Sequence, residues 1–75
     1  MLQTVNQVTD LPDFKQRVLC EYIELKDKHD KLKSFLVSAR IQEMDAAYQQ
    51  MLHEQFRVMG MYMSILELRM EFLSK

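Results

Sequence analysis

Between Pro12 and Gly60 the chain contains neither glycine nor proline, and 75 residues hold only one of each. A β-rich chain of this length needs several turn residues, because hairpins reverse on Gly, Pro, Asn and Asp in special backbone conformations. Helices consume residues without such turns. The chain is therefore expected to be all-α and, at this length, to form at most one small domain. Its composition, 48% hydrophobic and 28% charged, belongs to a folded chain rather than a disordered one.

Residues 1–12 are polar and aperiodic and read as a flexible N-terminal arm. Asp13 looks like an N-cap, with Gln16 three residues on in the manner of a capping box. From there Val18, Tyr22, Leu25, His29, Leu32 and Leu36 recur at alternating spacings of four and three, a helix seam close to a heptad. Leu19 and Ile23 widen it near its start. The first helix is expected at about 13–37.

The rhythm breaks over 38–44, where the chain reverses with room for one helical turn, and Asp45 can cap a second helix at about 45–73. This helix carries two apolar stripes. One runs through Met44, Tyr48, Leu52, Gln55, Met59, Tyr62, Leu66 and Leu73, the other through Met51, Val58, Met61, Ile65, Leu68 and Phe72. A short connection favours an antiparallel hairpin, which sets Val18 near Arg69 and Leu32 near Gln55. One neighbouring helix cannot cover both stripes. Ordering backbone costs on the order of 1–2 kcal/mol per residue, and a two-helix hairpin only half-buries its seam. The fold class that follows is an antiparallel two-helix hairpin assembling into a helical homo-oligomer. Gly60 either permits close helix approach or is a tolerated defect.

Several function classes fall away. His29 and His53 lie on different helices outside any metal-ligand spacing, and His29, on the seam, reads as a packed histidine. Cys20 has no sequence partner and reads as a small buried or half-buried hydrophobe. No glycine-rich phosphate loop is present. The chain is not expected to be an enzyme, nor to need a metal or cofactor. A net charge of −1 gives no global basic field for duplex nucleic acid or an anionic membrane. No apolar run approaches the roughly 20 residues that span a bilayer. A lone cysteine and no signal-peptide pattern point to a reducing cytoplasm.

Charge is more telling locally. Lys26, Lys28, Lys31 and Lys33 cluster on the first helix, and Lys15 and Arg17 lie near its start. In an antiparallel hairpin Lys31 approaches Arg57, and Arg17 approaches Arg69. Phe35 and Phe56 accompany one cluster; Tyr22, Tyr62 and Phe72 accompany the other. Cations that hold phosphates beside rings that stack on bases suit a small nucleotide ligand, although lysine-rich helix faces are also commonplace. Met51, Met59, Met61, Met63 and Met70 could form an adaptable binding surface or fill an oligomer core.

The order of these features adds to the reading. Phe14-Lys15-Gln16-Arg17-Val18, Glu21, Glu24-Leu25, Lys28, Lys31-Leu32 and Phe35-Leu36 resemble the first helix of a group of small phage proteins. Met51-Leu52, Gln55, Met59, Tyr62, Ile65-Leu66 and Arg69-Met70 resemble its second helix, so the likeness spans about 14–70. The group is similar to the helical-hairpin phage sponges that sequester nucleotide second messengers of bacterial antiphage signalling. The resemblance implies an anti-defence protein of the infected host's cytoplasm, an oligomer that binds a cyclic nucleotide between protomers without cleaving it. It implies Arg17, Tyr22, Lys26, Arg57, Tyr62 and Arg69 as candidate ligand contacts, chosen by charge, ring chemistry and position. The alternative is a structural or adaptor module whose apolar helical face docks a partner protein.

Overall fold

The computed structural model describes residues 13–74. The arm expected over 1–12 lies outside them. Helix α1 runs Asp13–Leu36, a 3-10 turn Ala39–Glu43 follows, and helix α2 runs Ala46–Leu73. The two helices pack side by side as an antiparallel hairpin, as the sequence predicts. Asp13 is already inside α1, as an acid in its first turn, rather than flanking it.

The reversal is built without a left-handed residue, since no residue among those described has positive φ. The end of α1 is closed by the Ser38 hydroxyl donating to the Phe35 carbonyl at 2.7 Å and by the Val37 N–H donating to Lys33 at 3.2 Å. Ile41, in the middle of the 3-10 turn, is only 4% exposed and plugs the closed end of the hairpin. Asp45 then caps α2: its Oδ1 accepts the Ala47 N–H at 2.9 Å, satisfying a donor that has no carbonyl partner in the first helical turn.

The α1 seam is the expected one, with Val18 buried and Tyr22, Leu25, His29, Leu32 and Leu36 half-buried against α2. On α2 the facing stripe differs from expectation. Gln49, Leu52, Phe56, Met59, Met63, Leu66, Met70 and Leu73, again at alternating three and four, are the buried or half-buried positions. Gln49, Phe56 and Met63 take the places expected of Tyr48, Gln55 and Tyr62, which stay exposed, and Met70 fills the gap the expected stripe left before Leu73. Leu52, Met59, Leu66 and Leu73 belong to both stripes, so α2 is turned by about half a residue step, roughly 50°, which puts Phe56 and Met63 into the seam and keeps Gln55 and the phenols in solvent. The methionines divide accordingly, with Met59, Met63 and Met70 packing on α1 and Met51 and Met61 exposed.

His29 stacks on Phe56, as a packed histidine rather than a ligand. Cys20, by contrast, is exposed, because its position on α1 turns away from α2. At Gly60 an added Cβ would lie 3.6 Å from His29 Nε2, ordinary contact distance, so the helices do not approach closely enough to require glycine. Among the described residues the buried core is Val18, Ile41 and Leu66.

Candidate ligand-binding site

At the end of the hairpin away from the 3-10 turn, Phe14 and Val18 of α1 and Ile65, Leu68, Arg69, Phe72 and Leu73 of α2 line an open groove of about 520 Å³. The volume is within the roughly 300–1,000 Å³ of small-molecule sites, and the lining has their composition: apolar walls, two phenyl rings and one polar anchor. Arg69 is the only charged side chain among the lining residues. Phe14 and Val18 sit one turn apart on α1, and Ile65, Leu68-Arg69 and Phe72 sit one turn apart on α2, so regular helix geometry aims them into the same space. As expected from an antiparallel pairing, Val18 and Arg69 meet here.

The other expected contacts are spread over the hairpin. Tyr62 precedes Arg69 by seven residues, two turns along the same face, and is 38% exposed. Tyr22 is elsewhere, because its hydroxyl donates to Glu67 Oε2 at 2.8 Å. Glu67 is two positions from Arg69, about 200° around α2. This bond, followed by burial, pushes the Tyr22 phenol above its ordinary value near 10. Lys26, one turn along from Tyr22, pairs with Asp30 at 3.1 Å, and that hydrogen bond raises its ammonium pKa. Arg57 pairs with Glu54 and donates to the Met61 sulfur at 3.2 Å. The guanidinium holds the Glu54 carboxyl below the usual carboxylate range.

Arg17 lines a separate groove on the outer face of α1, of about 420 Å³, with Asp13, Gln16, Cys20, Glu21 and Glu24. Three carboxylates against one guanidinium make that surface a poor seat for an anion. One protomer therefore brings Arg69 and Tyr62 onto one face, leaves Tyr22 and Lys26 on another, and sets Arg17 among acids. Phe14, Leu68 and Phe72 complete the groove. Leu68 and Phe72 were visible in the sequence as part of the second stripe, whereas Phe14, one turn before Val18, entered there only through the family resemblance. Lys31 pairs with Asp27 of its own helix at 2.9 Å.

Among the described residues no group of three or more His, Cys, Asp or Glu side chains could hold a metal ion. None of the described helices is long and apolar enough to cross a membrane. The family model for Sequestin matches residues 12–72, which takes in α1, the reversal, α2 but for its last residue, and every groove residue except Leu73. The chain belongs to the Sequestin family. Sequestin is a family of phage sequestering proteins, and the small helical hairpin is the form this chain gives it. No curated protein and no solved structure gives a significant match to the chain. As a Sequestin it falls within a family of binding, sequestering proteins.

Proposed function

We propose that this Sequestin captures a cyclic nucleotide second messenger of host antiphage defence by stoichiometric binding, without cleaving it. It would do so as a homo-oligomer in the cytoplasm of the infected bacterium. The observation that carries the reading is the groove in which Arg69 is the lone charge among apolar walls and the Phe14 and Phe72 rings. A guanidinium offers a planar fork of donors to a phosphate, and the exposed Arg69 is free to present it to one entering the open groove. Aromatic rings accept the face of any base, worth roughly 1–3 kcal/mol per base.

Tyr62 extends the same face. Tyr22, Lys26, Arg57 and Arg17 are proposed as contacts made where a neighbouring protomer brings their faces to a bound ligand. The exposed Lys26–Asp30 and Arg57–Glu54 pairs are i,i+4 and i,i+3 contacts in solvent. Such pairs contribute little and exchange readily for a stronger anion.

The test is a melting-temperature panel of cyclic di- and trinucleotides and ADP-ribose derivatives. Ligand at about 100 times its Kd adds roughly 2.7 kcal/mol to the stability of the folded state, so one member should give a large, concentration-dependent rise. Arg69→Ala should remove that rise while leaving the unliganded melt in place. A flat panel would sink the proposal and favour the adaptor reading, for which the exposed apolar face of α2 is the supporting observation.

A further inference from the structure

Helix α2 carries two heptad seams, and α1 occupies only one of them. The second runs through Met44 just before the helix and then Tyr48, Met51, Gln55, Val58, Tyr62, Ile65, Arg69 and Phe72, spaced four and three throughout. Every one of these side chains is exposed: Met51 at 60%, Ile65 at 53% and Phe72 at 72%, with Met61 and Leu68 exposed along one flank. This alternation is the signature of a helix packed against another helix by knobs into holes. A solvated face has no reason to keep it over the length of α2.

The seam divides into two columns of period seven. Met44, Met51, Val58, Ile65 and Phe72 form an apolar column, and Tyr48, Gln55, Tyr62 and Arg69 form a polar and aromatic one. The apolar column is centred on Val58 and the other column half a residue beyond it, an axial offset of under about 1 Å, so the seam reads as complementary to itself when reversed. We propose that a second copy of the chain docks on this seam with its α2 antiparallel, Val58 facing the partner's Val58 at a two-fold axis. Met51 then meets the partner's Ile65, Met44 the partner's Phe72, Gln55 the partner's Tyr62, and Arg69 the partner's Tyr48. A parallel pairing would instead set Arg69 against the partner's Arg69, an opposition of like charges. The antiparallel register replaces it with a guanidinium beside a phenol ring.

The area supports the same occupant. The partly exposed side chains of the seam present on the order of 800 Å² together, about what each partner buries in a standard specific interface. The arrangement also bears on the groove. The start of the partner's α2 crosses beside Leu68, Arg69 and Phe72, so the partner's Tyr48 and Met44 would wall the groove's open side, and a dimer would hold two such sites at opposite ends. Only this last point rests on the proposed function; the interface itself does not.

The test uses cysteine variants of the full chain in a Cys20→Ser background under mild oxidation. In the antiparallel register Val58→Cys sits at the axis and should cross-link to itself almost completely. Ile65→Cys and Met51→Cys are each displaced from their own symmetry mates by about 14 residues, roughly 21 Å, beyond disulfide reach. Neither should self-link, but a mixture of the two should give the mixed dimer. Efficient self-linking of Ile65→Cys would overturn the antiparallel register. So would a dimer in sedimentation with no Val58→Cys product, and a monomeric mass for the unaltered chain at micromolar concentration would overturn the interface. None of these readouts involves a nucleotide. Cross-linking as expected with a flat melting panel would remove the ligand reading alone, and a ligand shift in a monomer would remove the interface alone.

Discussion

His29 lies flat on Phe56, ring centroids 4.2 Å apart and planes within 14° of parallel. The pair sits mid-seam, where two half-buried rings lock the register of α1 on α2. The stack should show as a coupling between the two positions. In a double-mutant cycle of His29→Ala and Phe56→Ala, the interaction term is expected at roughly 0.5–1.5 kcal/mol. Urea denaturation at fixed protein concentration measures it.

Gly60 is one turn beyond Phe56, and its missing Cβ would stand at ordinary contact distance from the same imidazole. Gly60→Ala therefore removes a helix-interior glycine at no steric cost. Stability should rise by up to about 1 kcal/mol, seen as an increase of several degrees in Tm. A fall in Tm would mean that α1 needs the space.

The start of α2 depends on Asp45, whose carboxylate accepts the Ala47 N–H. Asp45→Ala should cost about 1 kcal/mol, and Asp45→Asn much less, because the amide oxygen can still accept. Thermal melts of the two variants side by side separate the cap from any effect of charge.

The Tyr22 phenol donates to Glu67, and that bond is the leading cause of its raised pKa. The protonated phenol is the donor, so its contribution to stability is complete below the ordinary tyrosine range near 10 and is lost as pH rises through the raised folded value. Ultraviolet titration of the unaltered chain against Tyr22→Phe should isolate a phenol ionising above 10. Glu67→Gln should bring it back down. An unchanged titration in Glu67→Gln would show that the hydrogen bond is not the cause.

Arg57 is held by Glu54 on its own helix. Because the guanidinium lowers the Glu54 pKa, the pair persists above the ordinary carboxylate range and is lost as pH falls through the depressed value. Glu54→Gln should leave the melt nearly unchanged while freeing Arg57 for an anion. If Arg57 contacts the ligand, the variant binds more tightly and with a steeper dependence on salt. Unchanged affinity would remove Arg57 from the site.

Much of the hairpin was legible in the sequence because helix seams are written in spacing. The α1 seam follows from residues three and four apart, the Asp45 cap from an acid set just before a periodic run, and the antiparallel pairing from the shortness of the connection. The rotation of α2 was not legible in the same way. Phe56 and Gln55 are neighbours in sequence, and both frames of α2 satisfy the same periodicity, so packing volume chooses between them. Ile41 escaped for a related reason: a lone isoleucine in a connection has no period, and only the closed end of the hairpin gives it something to plug. For the groove, Arg69 and Phe72 were legible as types, but Phe14 joins them only because the far ends of two helices coincide in space.

The reversal and the groove stand at opposite ends of the molecule, which would make a lever of a hairpin pinned at the corner alone. Ile41 pins the corner, while the groove lies near the last turns of a 28-residue rod, about 42 Å long. A change of about 5° in the angle between the rods moves their tips by roughly 3–4 Å at that length, nearly the thickness of a base. Val18 and Leu66, two of the three described residues that are buried, stand at the groove's end of the seam and resist such a tilt. The long rods are thus pinned at both ends, and the mouth keeps its width while its walls stay open to a guest.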